Sequence, residues 1–131
     1  MTLNSIKRKL QEDITPFDVV AGVIYFLGKD EPFPTNYEKL HSAFYAERNN
    51  PFLKEFKFRE GGPYPYSELL ESVFSRLAIS GLLGCENPDY RQFVTNEHQL
   101  KEIKLSSLRK FSKKQQEELR TLSLRIQEKL N

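Results

Sequence analysis

The chain contains no tryptophan, one cysteine, one methionine and two histidines among its 131 residues. The lone Cys85 excludes an intramolecular disulfide and suits a reducing compartment. His41 and His98 with that cysteine make no C-x-x-C pair, no H-E-x-x-H helix and no zinc set, so no metal or other cofactor is expected. No apolar run approaches the ~18 residues that cross a bilayer, and Met1 to Asp13 is polar rather than leader-like. The expectation is a cytoplasmic protein with no membrane partner. Gly61-Gly62 lacks the Lys-Ser/Thr of a phosphate loop and reads as a turn. His41 reads as a helix-surface residue, Cys85 as a small apolar strand residue, and Glu68, Glu71, Glu117 and Glu118 as solvated helix charges. No catalytic constellation remains, and no enzymatic activity is expected.

What is present suits one globular domain: 38% hydrophobic and 29% charged residues, with ten Phe and six Tyr. The clearest signal runs from Gly62 to Thr95. Gly61-Gly62, Pro63 and Pro65 punctuate the backbone, and a helix begins near Tyr66 or Ser67. At 100° per residue, Tyr66, Leu70, Val73, Phe74 and Leu77 share one arc, while Glu68, Glu71, Ser72, Ser75, Arg76 and Ile79 share the other. That spacing predicts a core face and a presented face. Gly81 stands where a C-cap belongs, Leu82-Leu83 restarts the chain as a strand, and Asn87-Pro88-Asp89 turns it into a second strand over residues 90–95.

This run of helix, S-G-L-L and hairpin resembles the recognition helix and wing of the winged-helix superfamily, over residues 62–95. More loosely, the apolar Val23-Ile24-Tyr25-Phe26-Leu27, Phe56-Lys57-Phe58 and the Gly62-Pro63-Tyr64 turn resemble Panacea-domain antitoxins. Their pattern lacks the inserted Pro65-Tyr66 before Ser67 and often has a tryptophan in the first helix. The implied fold is mainly α with a small β-hairpin or three-stranded sheet, winged-helix-like over residues 1–100. A C-terminal helical extension over 101–131 follows.

Upstream, Thr15-Pro16-Phe17-Asp18 is a helix start, and Val19 to Leu27 is apolar nearly all round, which predicts a central helix ending at Gly28. Thr35 to Glu38 reads as a T-x-x-E capping box for a second helix that buries Leu40, Ala43 and Phe44. Phe56-Lys57-Phe58-Arg59 alternates as a strand able to pair with the hairpin. Downstream, Glu97 to Leu108 has weak helical periodicity. Ser112 to Gln115 is an S-x-x-Q box opening a helix whose apolar stripe is Leu119, Leu122, Ile126 and Leu130.

The net charge of +2 is unevenly spread: residues 14–100 carry eight basic and twelve acidic groups, and residues 101–131 nine basic and four acidic. Two functions follow. One is a winged-helix transcription regulator binding double-stranded DNA through Lys54, Lys57, Arg59, Ser72, Ser75, Arg76 and Arg91, dimerising through the C-terminal stripe. Its difficulty is Glu68 and Glu71 on the presented face, since like charge repels phosphate. The other is a protein-interaction module, an adaptor or antitoxin-like partner, using Tyr64, Tyr66, Glu68, Glu71 and Tyr90. The stripe's destination separates them in part, because a stripe folded back on its own chain removes the argument for a dimer.

Overall fold

Thr15 starts the most deeply buried helix. Its hydroxyl accepts from the Asp18 amide at 3.3 Å, and the Asp18 carboxylate accepts in return from the Thr15 amide at 2.9 Å and hydroxyl at 3.0 Å. Two orphan donors at the helix start are thus satisfied reciprocally, and Pro16 presets the first helical φ. Helix α1 then runs Pro16–Gly28, with Val20, Ala21, Val23 and Ile24 wholly removed from solvent. The computed structural model describes residues 13–28, 33–34, 36–85 and 92–130, and it is mainly helical.

Around α1 stand α2 (Tyr37–Ala46), α3 (Glu68–Ile79), α4 (Glu97–Ser106) and α5 (Lys113–Leu130), with 3₁₀ turns at Pro51–Leu53 and Leu108–Lys110. The cap of α2 is Asn36, whose side chain accepts from the Lys39 amide at 3.2 Å, one residue later than the expected box. Helix α3 is capped by Ser67 and followed by Gly81, whose φ of 81° lies in the left-handed region that glycine enters at no steric cost. Helix α4 has an Asn96/Gln99 capping box, which explains how a segment of weak periodicity holds a helical start. Ser112 and Gln115 make the expected box at 2.8 and 3.1 Å.

Three segments of two or three residues, β1 (Phe33–Pro34), β2 (Gly84–Cys85) and β3 (Gln92–Val94), pair antiparallel in the order β1-β3-β2. Phe93 lies opposite both Phe33 and Cys85, and its ring stacks on Phe74 at 5.8 Å. The expected pairing of Phe56–Arg59 with this ladder does not form. Phe56 is buried in the core and Phe58 packs edge-on against Tyr45 at 5.4 Å, so aromatic anchoring claims that segment. Arg59 instead bridges Tyr66 through two backbone hydrogen bonds of 2.8 and 3.1 Å.

The stripe Leu119, Leu122, Ile126 and Leu130 is buried within the chain, no member more than 4% exposed. It packs on α1 and α2, and a Cβ at Gly22 would lie 2.4 Å from Leu119 Cδ2. The proposed oligomerisation surface is therefore intramolecular core. One cluster of buried residues joins Val20, Leu40, Phe74, Ile103 and Leu119.

An ion pair closes the same region. Lys110 Nζ lies 2.9 Å from Asp18 Oδ2, with both side chains largely buried. Burial would raise the Asp18 carboxyl, but hydrogen bonds from the Thr15 amide, Lys110, Ser107 and the Thr15 hydroxyl outweigh it and hold the carboxyl below its ordinary value. A lowered native value means the carboxylate stabilises the fold above its unfolded pKa of about 3.9, and that stabilisation is lost as pH falls below it. Acid titration of unfolding should show this as a limb below about pH 4 that Asp18→Asn flattens; an unchanged limb would place the acid sensitivity elsewhere. Lys110→Met should cost about 3 kcal/mol in urea unfolding, because it strands a buried carboxylate. Gly22→Ala should cost about 1–3 kcal/mol by overpacking against Leu119, and less in a Leu119→Ala background.

Candidate interaction surface

Helix α3 buries Leu70, Val73, Phe74 and Leu77, and so must turn its other half outward. Across that half, in angular order, come Glu71, Ser75, Glu68, Ile79, Ser72, Arg76 and Leu69. Ser72 and Ser75 lie between Glu68 at the first turn and Ile79 at the last, which leaves the middle low. Ile79 is 87% exposed and Leu69 is 37% exposed. Two large apolar groups therefore stand on a face otherwise made of serines and charges.

The segment before α3 builds the flank. Pairing of Arg59 with Tyr66 folds residues 59–66 into a narrow loop, with Gly61 at φ 125° permitting the reversal. Tyr64 and Tyr66 then lie over α2, where the Tyr66 ring stacks on His41 at 5.0 Å and 17° and Tyr64 approaches it at 5.6 Å. His41 is completely buried by this cover, which corrects its assignment to the helix surface. Its Nδ1 and Nε2 lie 2.8 and 3.1 Å from the carbonyl oxygens of Tyr37 and Ser67. The imidazole thereby joins α2 to the residue that caps α3. The signal for it was present as Tyr37 and His41 one helical turn apart, but the tyrosine cover is a tertiary contact that no local pattern announces. The phenol of Tyr66 donates to the Glu71 carboxylate, so the turn is tied to α3 a second time.

Arg59 is the ridge of this surface. Its guanidinium pairs with Glu68 Oε1 at 2.5 Å and sits 5.6 Å from the Tyr66 ring centroid. On one side lies a groove of about 430 Å³ lined by Glu55, Lys57, Arg59, Glu68 and Leu69. On the other lies a groove of about 470 Å³ lined by residues 59–64 and Tyr66. Both are open, and Arg59 is common to them. Lys54 and Lys57 are exposed, as their alternation with phenylalanines implies.

Two of the cations expected to contact nucleic acid have contacts within the chain. Arg59 is engaged by Glu68, and the Arg76 guanidinium lies over the Phe17 ring at 4.8 Å. Over residues 54–60 and 68–80, Lys54, Lys57, Arg59 and Arg76 are balanced by Glu55, Glu60, Glu68 and Glu71. Of the residues expected to meet a protein partner, Tyr64, Tyr66, Glu68 and Glu71 come together on one flank, and Tyr66 precedes the helix rather than joining its core face. Arg91 and Tyr90 lie outside the described residues, and His98 is exposed. Among the described residues no cluster of three or more His, Cys, Asp or Glu could hold a metal ion, and no helix is long and apolar enough to cross a membrane. Compared with protein-family models, curated proteins and solved structures, the chain finds no match.

The internal ties of this surface differ in what they contribute. His41→Phe keeps the stacking but removes the ring nitrogens that face the Tyr37 and Ser67 carbonyls, so urea unfolding should report a loss of about 2 kcal/mol. Arg59→Ala removes only a solvent-exposed pair and should change stability by less than about 0.5 kcal/mol. Equal effects of the two would contradict this division between a structural clamp and a surface ridge.

Proposed function

We propose that this chain is a protein-interaction module on a winged-helix-like scaffold, docking a partner through the outer face of α3 and the tyrosine-rich turn beside it. The carrying observation is Ile79, an isoleucine at 87% exposure on a face whose cations are already engaged within the chain. Exposed apolar groups flanked by Tyr and Arg are what the centre of a protein interface is made of, with a polar rim around them. Tyr66 and Arg59 are the anchors here, with Tyr66 held in place by its hydrogen bond to Glu71 so that little of its rotamer freedom is lost on docking. The adaptor or antitoxin-like role carried by the Panacea resemblance is the finer form of this reading.

Winged-helix DNA binding with transcription regulation is the second reading. The order helix, strand, helix, helix, strand, strand from α1 to β3, with β1 pairing β3, favours it. Against it stand the balanced charges of the presented face and the burial of the stripe that was to pair two half-sites.

Affinity capture on the tagged chain tests the first reading. A protein bound by the wild type and lost by both Ile79→Lys and Glu68→Lys/Glu71→Lys, each folded by circular dichroism, is the expected outcome. Capture unchanged by both variants would remove this face from the account. Under the DNA reading, Arg59→Ala/Arg76→Ala would weaken duplex binding instead.

A further inference from the structure

The turn from α4 into α5 carries the densest charge of one sign in the chain. Between residues 101 and 114 there are six basic residues, Lys101, Lys104, Arg109, Lys110, Lys113 and Lys114, against the single acid Glu102. Only Lys110 serves the core, through Asp18. The other five are exposed, and Lys101, Lys104, Lys113 and Lys114 make no ion pair among the described residues. Arg109 Nε donates to the Leu105 carbonyl at 2.7 Å, closing α4 and fixing the guanidinium at the corner.

Part of this placement serves the fold: Lys104 lies in the last turn of α4, where the helix dipole favours a cation, and Arg109 closes that helix. Lys113 and Lys114 occupy the first two positions of α5, where the helix dipole disfavours cations. Acids return one turn beyond on each side, at Glu97 and at Glu117 and Glu118, so the basic surface is bounded at 101–114. Its only exposed large apolar group is Leu105, and it has no exposed aromatic. That composition lacks the apolar face with which a membrane-lying helix inserts and the rings on which single-stranded bases stack.

We infer that this corner is a docking surface for the phosphate backbone of a nucleic-acid duplex, read without base specificity and separate from the α3 face. A duplex offers about one negative charge per 1.7 Å of axis, a partner whose charge complements six basic residues within fourteen positions, five of them exposed. Four neutralised phosphates imply a log–log salt slope of about −4, hence binding that is measurable at low salt and weak near physiological salt. The inference does not depend on the proposed protein-docking role.

The test is fluorescence anisotropy of a labelled 20-base-pair random duplex across a salt series. The wild type, Lys101→Glu/Lys104→Glu/Lys113→Glu/Lys114→Glu, the same four changed to Gln, and Arg59→Ala/Arg76→Ala are compared. Wild-type binding with a slope near −4, at least ~100-fold weaker in the Glu variant and unchanged in the arginine variant, is expected. The Gln variant, which keeps the helix-start chemistry without added repulsion, covers misfolding of the Glu variant and should lose most of the slope. No wild-type binding at low salt, binding unaffected by the lysine changes, or equal binding to polyglutamate or to anionic phosphatidylserine vesicles would overturn the inference.

Discussion

The absence of a side chain at Gly22 sets how the whole chain packs. Because Leu119 sits where a Cβ would be, α1 and α5 approach closely at Gly22, and the long C-terminal helix buries its apolar stripe in the core while its other face stays exposed. Helix α1 can be apolar nearly all round because α3, α4, α5 and both 3₁₀ turns pack around it. A chain ending before α5 would expose that helix along one side. The C-terminal third is therefore part of what makes the first two thirds a domain.

Two ion pairs hold α5 at opposite ends, and they differ in kind. Lys110 reaches a buried Asp18 just ahead of the helix, while Lys129 reaches Glu47 at the C-cap of α2 at 3.4 Å. The first pair carries consequences for stability because its carboxylate has no water to fall back on; the second, half-exposed, contributes little beyond orientation. With α1 and α5 fixed so, α3 keeps its inner face in the core and its outer face free. Its start is set by Ser67, which caps α3 through its hydroxyl and contacts His41 through its carbonyl.

Much of this was legible locally. Thr15, Ser67 and Ser112 announce helix starts because capping is a contact over three residues, and the two faces of α3 follow from its period. What escaped was everything decided between elements. The C-terminal stripe would look the same in a dimer seam and in a core, and only the gap at Gly22 assigns it. Phe56 and Phe58 alternate as a strand does, yet core and aromatic contacts override strand pairing there. His41 looked polar and exposed because the rings that cover it arrive from more than twenty residues away. Of the site, residue identities were readable, but their neighbours were not: Arg59 meets Glu68 and Arg76 lies over Phe17 only once the chain is folded.

That difference decides what kind of surface α3 presents. A cation already paired with a carboxylate must break that pair to meet phosphate, so it contributes less to nucleic-acid affinity than its charge suggests. The same pairing keeps Arg59 near Tyr66, but as a solvent-exposed contact it holds that arrangement only weakly. Exposed lysines without an ion pair among the described residues lie instead at the α4–α5 corner. The two proposed docking surfaces thus differ in chemistry: apolar groups on the α3 face, exposed positive charge at the corner. Binding at the first should depend on shape and tolerate salt, whereas binding at the second should follow ionic strength, because screening acts on exposed charge and leaves apolar burial largely untouched.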